Sequence, residues 1–174
     1  MKAFWSSAWE IVEIVFISLV TVFLIRNFLA QPFLVSGASM EPTFSNNNYL
    51  IIDEITYRFR EPQRGEAVVF RYPNDPDVYF IKRIIGLPGE RVVVRNGKVT
   101  VFSNNEEIAI SGDTNGHADV RLGADQYFVL GDNRYNSFDS RNWGPVKKSE
   151  IIGVVRLRVL PLTDLELVKI PATL

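Results

Sequence analysis

The chain has 174 residues, 47% of them hydrophobic, which is enough for one domain of ordinary size plus a short membrane segment. Its formal net charge of −1 and the lack of a basic tract argue against binding to nucleic acid. The absence of cysteine excludes thiol catalysis, disulfides and cysteine-based zinc sites. The single histidine, His117, lies in a loop pattern, so a site built on a histidine pair is excluded and we expect no metal or cofactor.

The first predicted element is an N-terminal helix, because residues 14–25 (IVFISLVTVFLI) form an apolar run without a charge. This run is shorter than the roughly 20 residues that cross the hydrocarbon core of a bilayer. Flanking apolar residues lengthen the run. Trp5 and Trp9 would then lie at one membrane–water interface, and the Arg26 side chain can extend to the opposite membrane surface. The pattern favours a transmembrane anchor over residues 1–31. The alternatives are a helix lying on the membrane or buried in a partner, and a cleaved signal peptide.

Pro32 ends the helix pattern, and nearly every segment after it predicts a β-strand. These segments are β-branched and aromatic runs at residues 49–53, 67–72, 78–85, 91–95, 98–102, 127–130 and 151–160. Asn96-Gly97 supplies the positive φ angles of a type I′ hairpin turn. Because no helical pattern of about 10 to 15 residues separates the strands, a parallel α/β fold is disfavoured. We predict a mainly β domain over residues 32–174, an antiparallel sheet or partly open barrel, with a small loop-rich excursion around residues 103–125.

Three polar motifs interrupt the strand pattern, and they have the residue types of a serine–lysine hydrolase. The motifs are residues 36–43 (SGASMEPT), 80–90 (FIKRIIGLPGE) and 131–141 (GDNRYNSFDSR). Alternate strand residues share a face, so Lys82 faces the same way as Phe80 and Ile84. Burial among apolar groups lowers a lysine pKa, and the neutral amine can act as a general base. Ser39, in the first motif, needs such a base to become a nucleophile.

In order, in spacing and in position after an N-terminal helix, the three motifs resemble the signature boxes of the type I signal peptidases. These are membrane-anchored serine proteases that cut signal peptides from exported proteins, and the resemblance runs from about Arg26 to about Leu160. It implies that Ser39 is the nucleophile, that Lys82 is the general base, and that the reaction passes through an acyl-enzyme. It also implies cleavage of precursor proteins after small residues. The implied location is the plasma (inner) membrane, in contact with lipid, with one spanning helix, a cytoplasmic N-terminus and the catalytic domain on the extracytoplasmic face.

The oxyanion of such a reaction needs preorganised hydrogen-bond donors. The Ser39 backbone N–H, in a turn of small residues, can be one of them. Some family members add a serine hydroxyl two residues before the nucleophile, but this chain has Gly37 there and resembles the glycine-bearing branch. The second donor is then another backbone group or a bound water.

The resemblance also assigns supporting residues in the third motif. It implies that Ser137 is an orienting hydroxyl beside the Lys82 ammonium. It implies that Asp139 and Arg141 form a structural ion pair, with Arg83 nearby as a further partner. A planar guanidinium can hold a carboxylate with two hydrogen bonds, which would stabilise the loop that carries Ser137.

Substrate binding is expected in the extended-peptide mode, in which the bound chain adds a strand to a sheet edge. By resemblance the flanking edges are residues 32–35 and 79–81. Phe33, Met40 and Ile81 are the candidate walls of pockets that admit only small side chains at the first and third positions before the cut.

Asp132 and Asn133 are interpreted as residues that satisfy the turn backbone rather than contact the substrate. The competing interpretation is an aspartate as the catalytic acid or base, but no second carboxylate is paired with Asp132 by sequence. Two other functions stay open at this point. A LexA-like self-cleaving regulator also uses Ser and Lys on a β scaffold, but it needs a regulated segment where this chain has an apolar helix. A catalytically silent, membrane-anchored binding domain would keep the fold without turnover, and intact Ser39, Lys82 and Ser137 argue against it. No pattern predicts an oligomeric state.

Overall fold

The structure is a computed structural model that describes residues 2–24, 30–104 and 106–171. In these ranges the α-helices are α1 (Lys2–Leu24), α2 (Thr56–Phe59) and α3 (Ser140–Trp143). The strands are β1 (Ala30–Leu34), β2 (Tyr49–Asp53), β3 (Ala67–Tyr72), β4 (Asp75–Gly86), β5 (Arg91–Arg95), β6 (Lys98–Ser103), β7 (Glu106–Ile110), β8 (Ala118–Arg121), β9 (Gln126–Leu130), β10 (Val146–Lys147), β11 (Ile151–Leu160) and β12 (Glu166–Leu167). Every pairing between them is antiparallel, which confirms the prediction of a mainly β, antiparallel fold.

Helix α1 is 23 residues long. Every large apolar residue between Trp9 and Val22 is exposed. No helix among the described residues is both long enough and apolar enough to cross a membrane. Arg26 and the side chain of Trp5, which the sequence analysis placed at the two interfaces, lie outside the described residues. The transmembrane anchor, and with it the division of the chain after residue 31, stays a prediction.

The larger sheet has eight strands in the order β1-β2-β11-β3-β4-β9-β10, with β12 paired to β11 beside this path. Strand β4 pairs with β3 as far as Arg83, whereas β9 pairs only with the segment from Arg83 to Gly86. Within the described strands, β1 and the first part of β4 therefore each keep one edge without a neighbour. The rings of Phe33 on β1 and Tyr79 on β4 have centroids 5.8 Å apart, so the sheet curls until these two edges lie close together.

Alternate residues of β3 point into two different cores, because successive strand side chains face opposite ways. Ala67 and Val69 pack with Met40, Phe44, Leu50 and Ile52 on one face. Val68 and Phe70 pack with Ile84, Tyr127, Val129 and Val146 on the other. The middle of the larger sheet is thus buried on both sides, which holds β4 in a rigid frame.

A second, four-stranded sheet has the order β7-β6-β5-β8, and its valines and isoleucines pack with Ile85, Phe128 and Leu130 of the larger sheet. Asn96 and Gly97 join β5 to β6 with φ angles of 52° and 78°, as the sequence pattern predicts. The region around residues 103–125, expected to be loop-rich, differs from that expectation because β7 and β8 lie within it. They are only five and four residues long and each includes charged residues, and pairing with β6 and β5 stabilises them in spite of their weak local pattern.

Gly86 ends β4, just before the chain enters the smaller sheet. A Cβ at this position would lie 2.5 Å from Val92 Cγ2, 2.8 Å from Leu122 Cδ1 and 3.0 Å from Phe128 Cβ. We expect Gly86→Ala to lower the free energy of unfolding by about 1–3 kcal/mol, because well-packed side chains must move. Thermal denaturation measures the effect. Gly123→Ala is the matched control, since its Cβ would meet only the flexible side chain of Gln126, and an equal loss in both variants would contradict the steric explanation.

Candidate active site

Ser39 lies in the turn that follows β1, on residues 36–43. Gly37 has a φ angle of 99°, which favours glycine, and its N–H donates to Asn46 Oδ1 at 2.9 Å. Met40 and Phe44 after the serine are 1% exposed and pack in the core of the larger sheet, where the Phe44 N–H donates to the Met40 carbonyl at 2.8 Å. The turn is therefore anchored on both sides of Ser39, whose own side chain faces a cavity.

Lys82 lies on β4 and is 3% exposed. Its Nζ donates to Ser39 Oγ at 2.8 Å and to the Ile81 carbonyl at 2.9 Å, and it lies 5.2 Å from the centroid of the Phe80 ring. Burial lowers the pKa of Lys82 to about 8, against the opposing attraction of the Asp139 and Asp132 carboxylates. The structure thus brings Ser39 and Lys82, which are 43 positions apart in sequence, into direct hydrogen-bonding contact.

Arg83 points the other way from Lys82 and pairs with Asp132. Its Nε and Nη2 donate to Asp132 Oδ1 and Oδ2 at 2.7 and 2.5 Å, and the two side chains are 5% and 11% exposed. The hydroxyl of Thr43 donates to the same carboxylate at 2.6 Å. This corrects the expectation that Arg83 supports Asp139 and Arg141, and it gives Asp132 a larger role than that of a turn residue. The pair ties β4, the first motif and the third motif together.

Asp139 and Arg141 form the ion pair that the resemblance implied. Arg141 Nε and Nη2 each donate to one Asp139 oxygen at 2.8 Å, and Asp139 is fully buried. The Gly131 N–H donates to Asp139 Oδ2 at 3.0 Å, so the pair holds both ends of the loop 131–141. Arg141 Nη1 also donates to Thr114 Oγ1 and Asn115 Oδ1 at 2.8 and 2.6 Å, which joins this loop to the loop that precedes β8. No local pattern in the sequence indicates this last connection.

Ser137 lies in the same loop and is partly exposed, but its hydroxyl oxygen is buried close to the Ser39 backbone. A Cβ built on Gly131 would lie 2.2 Å from Ser137 Oγ and 2.5 Å from the Ser39 carbonyl oxygen, so Gly131 is the residue that lets these groups approach. Among the described residues the Ser137 hydroxyl has no hydrogen-bond partner, and Lys82 Nζ bonds to Ser39 and Ile81 instead. The orienting role of Ser137 stays a prediction.

A cavity of about 400 Å³ opens between β1 and β4, with Ser39 and Lys82 in its wall. Most of the remaining lining is apolar and comes from Phe33, Leu34, Val35, Leu50, Val69, Tyr79, Phe80, Ile81 and Phe138. Phe33 and Ile81 thus lie where the sequence analysis expected pocket walls. Met40 does not, because it packs in the core beneath the cavity. Leu50 and Val69 were missed, since a strand pattern does not say which core residues border an opening.

The model of the family described as signal peptidase, peptidase S26, matches residues 8–160. The chain is 42% identical over 146 residues to a probable signal peptidase I-2 of Synechocystis sp., across 79% of this chain and 66% of that relative. It is 35% identical over 164 residues to signal peptidase I P of Bacillus subtilis subsp. natto, across 87% and 88% of the two chains. A crystal structure of a signal peptidase I from Enterococcus faecalis V583 has 29% identity and a TM-score of 0.47, over 55% of this chain and 97% of that one.

The matched region contains all three motifs, the pair formed by Ser39 and Lys82, and both buried ion pairs of the third motif. It extends from α1 to the end of β11 and so covers most of the described chain. The chain therefore belongs to the signal peptidase family, peptidase S26, and is a hydrolase of peptide bonds.

Proposed function

We propose that the chain removes N-terminal signal peptides from exported precursor proteins, with Ser39 as the nucleophile and Lys82 as the general base. The observation that carries this proposal is the 2.8 Å contact between Lys82 Nζ and Ser39 Oγ in the wall of an apolar cavity. The names of the relatives, signal peptidase I-2 and signal peptidase I P, support the same substrate class.

In the first half of the reaction the neutral Lys82 amine accepts the Ser39 hydroxyl proton while Oγ attacks the carbonyl carbon of the scissile bond. The resulting ammonium then gives that proton to the nitrogen of the leaving amine, the C–N bond breaks, and an ester to Ser39 remains. In the second half the same amine takes a proton from water, whose oxygen attacks the ester. The C–O bond breaks and Ser39 recovers its proton.

The environment of Lys82 supports its role as a base near neutral pH. At a pKa of about 8, roughly one tenth of the amine is neutral at pH 7, compared with roughly one in three thousand for an ordinary lysine. Two nearby carboxylates would favour the ammonium, but Asp132 is paired with Arg83 and Asp139 with Arg141. Pairing reduces the negative potential at Nζ, so desolvation dominates the lysine pKa.

The oxyanion is proposed to bind the Ser39 backbone N–H, in the turn of small residues at the cavity wall. Gly37 offers no hydroxyl, so a second donor would be a backbone group or water. Ser137 is proposed to orient the lysine once substrate enters, since its hydroxyl is buried close to the Ser39 backbone and has no other described partner.

The substrate is proposed to bind as an extended strand between the free edges of β1 and β4. Each edge lacks a neighbouring strand in the described part of the chain, and the cavity runs between them. Main-chain hydrogen bonds to these edges would position the peptide, and alternate side chains would enter the cavity. Phe33 and Ile81 line that cavity, and they are proposed to limit the side chains before the cut to small ones.

Cleavage of a purified precursor tests the function directly. We expect full-length protein in detergent to release a mature chain whose new N-terminus follows a small residue. A matched precursor with tryptophan in place of that residue should remain uncut if Phe33 and Ile81 admit only small side chains there. If the chain cuts itself and leaves the precursor intact, the result would instead indicate a LexA-like regulator. If neither protein is cut, the result would indicate a silent binding domain.

We further propose that α1 anchors the catalytic domain on the extracytoplasmic face of the plasma membrane. The support is that its large apolar side chains from Trp9 to Val22 are exposed on all sides and therefore need an apolar surrounding. We expect the full-length chain to stay with the membrane fraction after alkaline carbonate extraction. Release into the supernatant, as for a peripheral protein run in parallel, would contradict a spanning anchor.

A further inference from the structure

Asn133 contacts both peptide units that flank Ser39. Its backbone N–H donates to the Ser39 carbonyl oxygen at 3.1 Å, and its side-chain Nδ2 donates to the Ala38 carbonyl oxygen at 3.1 Å. The side-chain amide must present its nitrogen there, because a carbonyl oxygen accepts and cannot donate. These contacts reach the backbone of the turn, whereas Lys82 Nζ bonds to Ser39 Oγ and the Ile81 carbonyl.

The direction of the Ala38 carbonyl determines the direction of the Ser39 N–H. The peptide between them is trans and planar, so its C=O and N–H point opposite ways. The carbonyl points at Asn133, which does not line the cavity, whereas Gly37, Ala38 and Ser39 do. The N–H therefore points away from Asn133, toward the cavity side of the turn.

We propose that Asn133 is a positioning residue that holds this peptide in the orientation in which the Ser39 N–H binds the oxyanion. The proposal rests on the function proposed above, since it assigns a role in that reaction. A peptide turned the other way would direct the Ala38 carbonyl oxygen into the cavity, where it would repel the oxyanion. Donors for a developing charge are effective only when they are held in place before the reaction.

Asn133 is itself held by its neighbours, as a positioning residue must be. Asp132 before it is fixed by the paired Arg83 guanidinium, and the Asn136 N–H donates to the Asn133 carbonyl at 3.0 Å. Gly131, two residues earlier, lies so close to the Ser39 carbonyl that a Cβ would be 2.5 Å from that oxygen. Residues 131–133 thus form a rigid support directly behind the turn.

The test compares Asn133→Ala with Asn74→Ala, which removes an exposed side-chain amide that donates to Tyr72 Oη. We expect Asn133→Ala to lower the single-turnover cleavage rate about 10- to 100-fold, somewhat less than the loss of a whole oxyanion donor. KM should stay unchanged, and a peptide boronate that forms a tetrahedral adduct with Ser39 should bind more weakly by a similar factor. The pH at which the rate is half-maximal should also stay unchanged, because Asn133 does not contact Lys82. Asn74→Ala should match the unmodified enzyme in all four measurements.

A merely structural role for Asn133 would give a different pattern. Displacement of the loop 131–141 would move Asp132 and Asp139, shift the pH profile and raise KM. That pattern, or a normal rate in Asn133→Ala, would overturn the proposal. Asn133→Asp keeps the shape of the side chain and the backbone N–H but turns a carboxylate oxygen toward the Ala38 carbonyl oxygen. This variant tests the positioning role if Asn133→Ala does not fold. We expect it to lose at least as much rate, and normal activity in it would overturn the proposal. Cleavage by a Ser39→Ala enzyme would instead refute the proposed function itself.

Discussion

Lys82→Arg and Lys82→Met are both expected to reduce precursor cleavage to the background rate. Arginine keeps the positive charge but cannot supply a neutral amine, because the guanidinium stays protonated in proteins. Methionine keeps much of the length and removes the nitrogen. If Lys82 acted only through its charge, the arginine variant would keep substantial activity and the methionine variant would not. Single-turnover cleavage of the same precursor by both variants separates these cases.

The pH dependence of the unmodified enzyme provides an independent check on Lys82. The reactive form is the neutral amine, whose fraction increases as the pH rises through the lysine pKa. With a pKa of about 8 the rate should climb about tenfold per pH unit below that value and level off above it. A rate that is constant between pH 6 and pH 9 would mean that the base is another group.

The stability of Lys82→Met shows whether loss of activity reflects loss of the fold. The pKa of Lys82 is lower in the folded chain than its ordinary value of 10.5, so below about pH 8 burial of the ammonium costs stability, up to about 3 kcal/mol. Between these two pH values the unfolded chain binds more protons, and stability rises with pH. Lys82→Met should therefore be at least as stable as the unmodified protein at pH 7, with an advantage that shrinks toward pH 10.5. Thermal denaturation at both pH values measures this.

Ser39→Ala is expected to lower cleavage by about 10⁴-fold or more, as in other enzymes whose nucleophile and base act as one unit. Combining it with Lys82→Met should cost little more than either change alone. The free energy of unfolding of the single variant Ser39→Ala should differ from that of the unmodified protein by no more than about 1 kcal/mol. The reason is that the Ser39 hydroxyl has one described hydrogen bond and lies at a cavity wall. Precursor cleavage and thermal denaturation of the same preparations test both statements.

Ser45→Ala is the matched control for Ser39→Ala, since it removes an exposed hydroxyl six positions later in the same segment. It should cleave at the normal rate. Retained cleavage in a carefully purified Ser39→Ala protein would remove the proposed nucleophile. Loss of cleavage in both variants would mean that the segment tolerates no change, and the comparison would then rest on Lys82.

Much of the β framework was predictable because it depends on local patterns. The β-branched runs that became β2, β3, β5, β6 and β9 have strand propensity over their whole length, and Asn96-Gly97 specifies its own turn. Strands β7 and β8 are short and include charged residues, and they lie in the stretch that was expected to be loop-rich, because their stability comes from neighbouring strands. Those neighbouring strands are distant in sequence, so the local pattern of a few residues does not reveal them.

The same distinction applies to the candidate site. The burial of Lys82 follows from strand periodicity, which places it beside Phe80 and Ile84, and its lowered pKa follows from burial. The partner of Arg83 does not follow from any local pattern, since Asp132 and Asp139 lie in the same loop and either could have faced β4. For the same reason Met40 was assigned to a pocket wall although it packs in the core.

By itself the sequence determined which residues have the chemistry of the proposed reaction: a serine in a turn of small residues, a lysine in an apolar strand, and a polar loop. These features depend on spacing and propensity over a few residues. Only the tertiary structure decided that Lys82 Nζ lies 2.8 Å from Ser39 Oγ, that Asp132 pairs with Arg83, and that Asn133 supports the Ser39 turn. Those contacts join segments 43, 49 and 95 positions apart in the chain, and their geometry arises from the curvature of one sheet that brings β1, β4 and the loop after β9 together.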